Sequence, residues 1–249
     1  MTDTRRGGTL PPVRKAYIHS IETAGMVDGP GIRYTIFFQG CALRCKYCHN
    51  PDTWKLMGGT EMTVEELLAD ALRYRSFMRF SGGGVTITGG DPFMQPEFLI
   101  ELLAALKAEG LHTALDTAGY TGATNAEKAL KNTDLLLLDI KSIDPEVYKD
   151  IAGVRIDASL RMLDIARDLG VETWIRFVLV PGLTDNFDHI RQMRDYLAAY
   201  DNITRIEVLP FHKMGEYKWA DLGLEYELTD TQPPDADVLA AAREILTRR

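Results

Sequence analysis

The chain has 249 residues, 45% of them hydrophobic and 26% charged, the make-up of an ordinary globular protein. Its net charge of −8 lacks the basic footprint of a nucleic-acid binder and argues against docking on anionic membrane surfaces. No apolar run approaches the roughly 18 residues needed to span a bilayer, and the polar start carries no secretion signal, so a reducing cytoplasm is expected.

Residues 1–15, with Gly7-Gly8 and Pro11-Pro12, read as a disordered lead-in to one domain over 16–249. A short strand is expected over 18–23. Asp28-Gly29-Pro30-Gly31 is turn chemistry, and 33–39 is β-rich and apolar, a buried first strand. Thr63-Val64-Glu65-Glu66 is a capping box that opens a helix running to about Phe80. A second strand over 85–88 ends at Gly89-Gly90-Asp91-Pro92. Pro96 opens the next helix and Gly110 closes it. The third strand, 112–115, closes at Asp116-Thr117, and a shorter helix covers about 125–132. Residues 134–140 form a continuous apolar strand, as expected when both faces are covered. Asp144-Pro145 and Asp157 start two further helices. A fifth strand covers 171–180, Asp185 caps a helix, a sixth strand covers 203–209, and a helix over 235–247 ends the chain. Strands alternating with helices imply a parallel sheet. Six such units predict an α/β fold, either an incomplete (β/α)6 TIM-like barrel or an open doubly wound sheet.

The three cysteines, Cys41, Cys45 and Cys48, lie within eight residues, just after the first strand. Three thiolates around an iron–sulfur core leave one iron open, and an open coordination site belongs to chemistry rather than structure. A Cys3His zinc site with His49 is the competing reading, although adjacent Cys48 and His49 strain to hold one ion. The other candidates also fall at C-terminal ends of expected strands, the face on which barrels build active sites. Gly89, Gly90 and Asp91 follow the second strand, and Asp116 and Thr117 end the third. Asp139 and Lys141 end the fourth, sharing one face with Leu137 by the period of two. His212 follows the sixth. Arg176 lies inside the apolar fifth strand and needs a counter-charge, for which Asp28 is the candidate.

Cys-x3-Cys-x2-Cys with Tyr47 before the last cysteine resembles the radical S-adenosylmethionine (SAM) enzymes. Asp28-Gly29-Pro30-Gly31-Ile32-Arg33 and Phe37-Phe38-Gln39-Gly40-Cys41 resemble the signature of glycyl-radical-enzyme activases, and the likeness runs from about Tyr17 onward. The resemblance implies a [4Fe-4S] cluster on the three cysteines and SAM chelating the open iron. One-electron cleavage of SAM would give methionine and a 5′-deoxyadenosyl radical. It assigns the backbone of Gly89-Gly90 to the SAM amino group and Lys141 to the carboxylate. Asp91-Pro92 stands where relatives commonly carry glutamate and alanine, which leaves the Asp91 side chain without an inherited role. Asp116, Thr117, Asp139 and the Leu137 carbonyl are assigned to a monovalent cation, Na+ or K+. Tyr47, His49 and His212 are placed near the cofactor. Trp54, Trp174 and Trp219 are read as packing residues. Asp28 and Arg176 are placed at the incoming glycine. The implied partner is a glycyl radical enzyme such as pyruvate formate-lyase, with flavodoxin or ferredoxin as electron donor. A small-molecule radical synthase and a zinc-bound interaction module are the other readings.

Overall fold

The structure is a computed structural model that describes residues 14–248. The lead-in expected over 1–15 lies outside the described residues as far as 13, and Lys15 already belongs to a strand. The described strands are β1 (Lys15–Gly25), β2 (Arg33–Phe38), β3 (Thr60–Thr63), β4 (Gly84–Gly89), β5 (Thr113–Thr117), β6 (Leu135–Asp139), β7 (Glu172–Leu179) and β8 (Ile203–Pro210). The described helices are α1 (Val64–Leu72), α2 (Arg75–Ser81), α3 (Pro96–Ala108), α4 (Ala123–Leu130), α5 (Pro145–Ala152), α6 (Asp157–Leu169), α7 (Phe187–Leu197), α8 (Glu216–Asp221) and α9 (Ala236–Thr247). None of them is long and apolar enough to cross a membrane.

All strands join one sheet in the order β3-β1-β2-β4-β5-β6-β7-β8. β1 is antiparallel to both β2 and β3, whereas β2 and β4 to β8 run parallel. The parallel strands follow one another without reversal. A doubly wound sheet reverses its strand order at a switch point, so that reading falls. No ladder joins β3 to β8 among the described residues, and the barrel is incomplete.

The interior explains the apolar strands. Leu135 and Leu137 of β6 face inward with Ala114 and Trp174, while Leu136 and Leu138 pack under the helices. Helix starts follow their capping chemistry. Thr63 and Glu66 form the reciprocal box of α1, and Asp144 accepts from the Glu146 and Val147 amides at the start of α5. Three details differ from expectation. The helix expected to reach Phe80 breaks at Arg73-Tyr74, where Tyr34 packs on Tyr74 at 5.6 Å and donates to Asp70. The cap of α7 is Asn186 rather than Asp185, because Asn186 Oδ1 takes the Asp188 and His189 amides. β3 and α8 had no sequence signal, being four and six residues long.

Candidate active site

The C-terminal ends of the parallel strands surround a cavity of about 550 Å³. Every residue given a site role in the sequence analysis lines it except Leu137. The Leu137 side chain is fully buried deeper in the barrel, against Ala114 and Leu135, so only its backbone is available to the assigned cation. Mid-strand between paired neighbours, it is part of the inner packing rather than the wall.

One wall is the cysteine loop. Its backbone is fastened on several sides: Gly40 N to Thr53 O at 2.7 Å, Arg44 N to Ala152 O at 2.9 Å, and Lys46 N to Ile151 O at 3.1 Å. Trp219 Nε1 donates to the Cys48 carbonyl at 2.9 Å, so Trp219 packs as expected. The three thiols are free. Burial pushes Cys41 up to about 12 and Cys48 up to about 11, and it raises Cys45 as well. Such thiols deprotonate only onto a strong cation. The Asn50 amide already points at Cys48 Sγ, at 3.4 Å. Among the described residues no three His, Cys, Asp or Glu side chains converge on one ion-sized point. Three sulfurs spread around one cavity fit the larger body of an iron–sulfur cluster.

The adjoining wall is the Gly89-Gly90-Asp91 turn, whose Asp91 N donates to Gly40 O at 2.8 Å. Gly89 has φ of 122°, and a Cβ there would lie 2.3 Å from Phe38 N. A Cβ on Gly90 would lie 2.2 Å from Gly40 O, so Gly89 is set by close packing on the end of β2 and Gly90 by close packing on the start of the cysteine loop. Asp91 is only 4% exposed and turns its carboxylate into the protein. Oδ1 accepts from Phe93 N at 3.0 Å, and Oδ2 from Thr117 Oγ1 at 2.9 Å and Ala118 N at 3.2 Å. Burial lifts it to about 6. Lys141 Nζ pairs with Asp139 at 3.0 Å and sits 5.7 Å above the Tyr47 ring. Burial opposes its charge, but Asp139 and Cys45 outweigh that and hold its pKa above the ordinary range. The Tyr47 hydroxyl is buried without a hydrogen-bond partner among the described residues. His49 and His212 stack at 4.1 Å, and His49 Nε2 bonds the His212 carbonyl at 2.9 Å.

Arg176 crosses the mouth. Nη1 donates to Asp116 at 3.0 Å, Nε to Glu207 at 3.2 Å, and Nη2 to the Val27 carbonyl and, at 3.5 Å, to Asp28. The expected Asp28 pair is present but is the longest of these contacts. Four of the five guanidinium N–H groups are engaged. Burial pushes Asp116 up to about 6; Arg176 pulls it down, while Asp139 and Asp28 crowd it. Thr88 donates to the same Asp116 oxygen at 2.8 Å.

Residues 35–197 match the model of the Radical SAM superfamily. The chain belongs to that superfamily. It is 50% identical over 220 residues to a pyruvate formate-lyase-activating enzyme of Clostridium pasteurianum, covering 88% of this chain and 92% of that protein. It is 44% identical over 238 residues to the Staphylococcus aureus protein of the same name, covering 92% and 94%. Among solved structures, a domain of a pyruvate-formate lyase-activating enzyme from Bacteroides vulgatus aligns with a TM-score of 0.56 at 28% identity, over 67% of this chain and 94% of that one. Streptococcus suis SuiB bound to S-adenosylmethionine aligns with a TM-score of 0.62 at 18% identity, over 84% and 45%, and shares the fold.

The cavity lining combines the three thiols with hydrogen-bonding polar groups. Glu207 and Thr88 escaped sequence reasoning. Glu207 sits in a strand beside Arg205, which reads as solvent-facing charge, and only the register that sets it opposite Arg176 reveals its place. Thr88 is at most a polar residue before a glycine pair, and nothing in its neighbours marks it.

Proposed function

We propose that this radical SAM protein is an activase that removes a hydrogen atom from a glycine Cα of pyruvate formate-lyase (formate C-acetyltransferase), leaving a glycyl radical there. One observation carries the reading. Three thiols and the Asp28–Arg176 pair line the same cavity, in a chain half identical to a protein named for that task. Cys41, Cys45 and Cys48 would hold a [4Fe-4S] cluster. Together with bound SAM, the cluster supplies a one-electron cleavage whose carbon radical takes the hydrogen atom. The Gly89-Gly90 backbone and Lys141 hold the amino-acid end of SAM, and the Tyr47, His49 and His212 side of the cavity takes the adenosine end. Asp28 and the remaining N–H of Arg176 receive the backbone around the glycine.

A Na+ or K+ ion at Asp116, Thr117, Asp139 and the Leu137 carbonyl would relieve the crowding of Asp28, Asp116 and Asp139, where burial makes negative charge costly. It would compete with Arg176 for Asp116 and with Asp91 for Thr117. A reduced flavodoxin or ferredoxin in the cytoplasm is the electron donor in this reading. The test is anaerobic reconstitution with iron and sulfide, followed by incubation with SAM, dithionite and pyruvate formate-lyase. Electron paramagnetic resonance should then show a glycyl radical on the partner. Cleavage of SAM with no radical on any glycyl radical enzyme would favour a small-molecule synthase and defeat the proposal.

A further inference from the structure

Arg33 is fully buried and does not line the catalytic cavity. It opens β2, at the opposite end of that strand from the cysteine loop. Among the described residues it makes no ion pair. Its partners are neutral: Nε donates to Thr86 Oγ1 at 2.8 Å, and Nη2 to Val85 O at 2.6 Å and His112 O at 3.5 Å. Nη1 donates to His112 Nδ1 at 3.2 Å. Since arginine has no acceptor, that nitrogen of His112 carries no proton. Burial lowers Arg33 to about 10, with Asp134 and Asp28 pulling it back, so it is charged at neutral pH. A buried cation held by neutral groups is costly.

The arrangement around Thr86 shows what the cation accomplishes. The same Oγ1 that accepts from Arg33 lies 2.6 Å from the Asp28 carbonyl. A hydroxyl has one proton. Arg33 donates to its lone pair, so the proton is directed at Asp28 O. Gly29 lies directly over the guanidinium with φ of 124°, and a Cβ there would come within 3.4 Å of Nε. From the cavity side, Arg176 Nη2 takes the neighbouring Val27 carbonyl. Arg176 directly, and Arg33 through Thr86, therefore hold consecutive carbonyls of one turn. The tip of that turn, Met26 and Val27, is 78% and 75% exposed.

We propose that Arg33, acting through Thr86, is a positioning residue that sets the Val27-Asp28 turn at the height where Asp28 and Arg176 receive the glycine backbone of the partner. The inference rests on the activase reading above. Thr86 touches neither the thiols nor the groups assigned to SAM, so its effect should be confined to the protein substrate.

The experiment uses the reconstituted holoenzyme with SAM, a chemical reductant and a peptide bearing the target glycine. Thr86→Val removes the bridging hydroxyl while keeping the shape. The peptide KM should rise about tenfold, the scale of one lost buried hydrogen bond, and SAM affinity and reductant-driven deoxyadenosine formation should be unchanged. Thr86→Ser, which keeps the hydroxyl, should restore the KM. Faster amide exchange over 27–29 in Thr86→Val provides a second readout independent of turnover. An unchanged peptide KM and unchanged exchange would overturn the proposal. So would a parallel fall of SAM cleavage and radical yield, which marks a general structural role. A wild-type protein that cleaves SAM but never places a radical on glycine would instead defeat the activase reading, and this inference with it.

Discussion

At the scale of single residues, Lys141 decides between chemistry and scaffolding. It is a 6%-exposed ammonium paired with Asp139, directed at the same cavity as the thiols. A structural ion pair and a cofactor ligand look alike from the sequence, because both demand a partner for a charge on an apolar strand. They differ in what their loss does. Lys141→Ala should weaken SAM binding by about 2–5 kcal/mol, the cost of breaking a buried charged contact, while iron content stays at the wild-type level. An anaerobic titration measures this. Unchanged affinity with a lowered unfolding midpoint would assign Lys141 to the fold alone.

At the scale of elements, the exits of β4 and β5 are fastened by Asp91, whose carboxylate takes donors from both. This answers the question left by its departure from the usual glutamate: the side chain is engaged within the protein. It also gives a pH signature. Its carboxyl stands at about 6 in the fold, against 3.8 for the free group. Between those values the folded state binds the proton more tightly, so this contribution to stability is full below about 4 and is lost as pH rises through 6. Its size is about 3 kcal/mol. Relative to Asp91→Asn, the wild type should therefore lose stability between pH 4.5 and 7, measured by urea unfolding of equally loaded samples. Parallel curves would refute the assignment. The elements themselves were legible where one local rule governs them. The Thr63 box, the Pro96 start and the unbroken apolar run of β6 each follow from a few neighbouring residues. What stayed hidden depends on partners far along the chain. The break before α2 follows from Tyr34, and the place of Glu207 from a ladder register.

At the scale of the whole molecule, no ladder closes the barrel between β3 and β8 among the described residues, and Arg176 ties several elements together at its mouth. Arg176 stands on β7 and reaches β5 through Asp116, β8 through Glu207, and the β1–β2 turn through Val27 and Asp28. Arg176 meets three carboxylates, of which Glu207 is shared with Arg205, and the planar fork is what reaches them in different directions. Lysine would keep the charge but lose the fork. Arg176→Lys should therefore assemble its cluster and cleave SAM with a chemical reductant at near wild-type rates, because neither thiols nor Lys141 contact Arg176. It should fail to place a radical on pyruvate formate-lyase or on a glycine peptide, because Asp28 and the turn are no longer held against the substrate backbone. Deoxyadenosine quantification and electron paramagnetic resonance on the same samples separate the two steps. If radical yield falls only in proportion to SAM cleavage, Arg176 serves the cofactor or the fold, and the division of the cavity into a cofactor side and a glycine side is wrong.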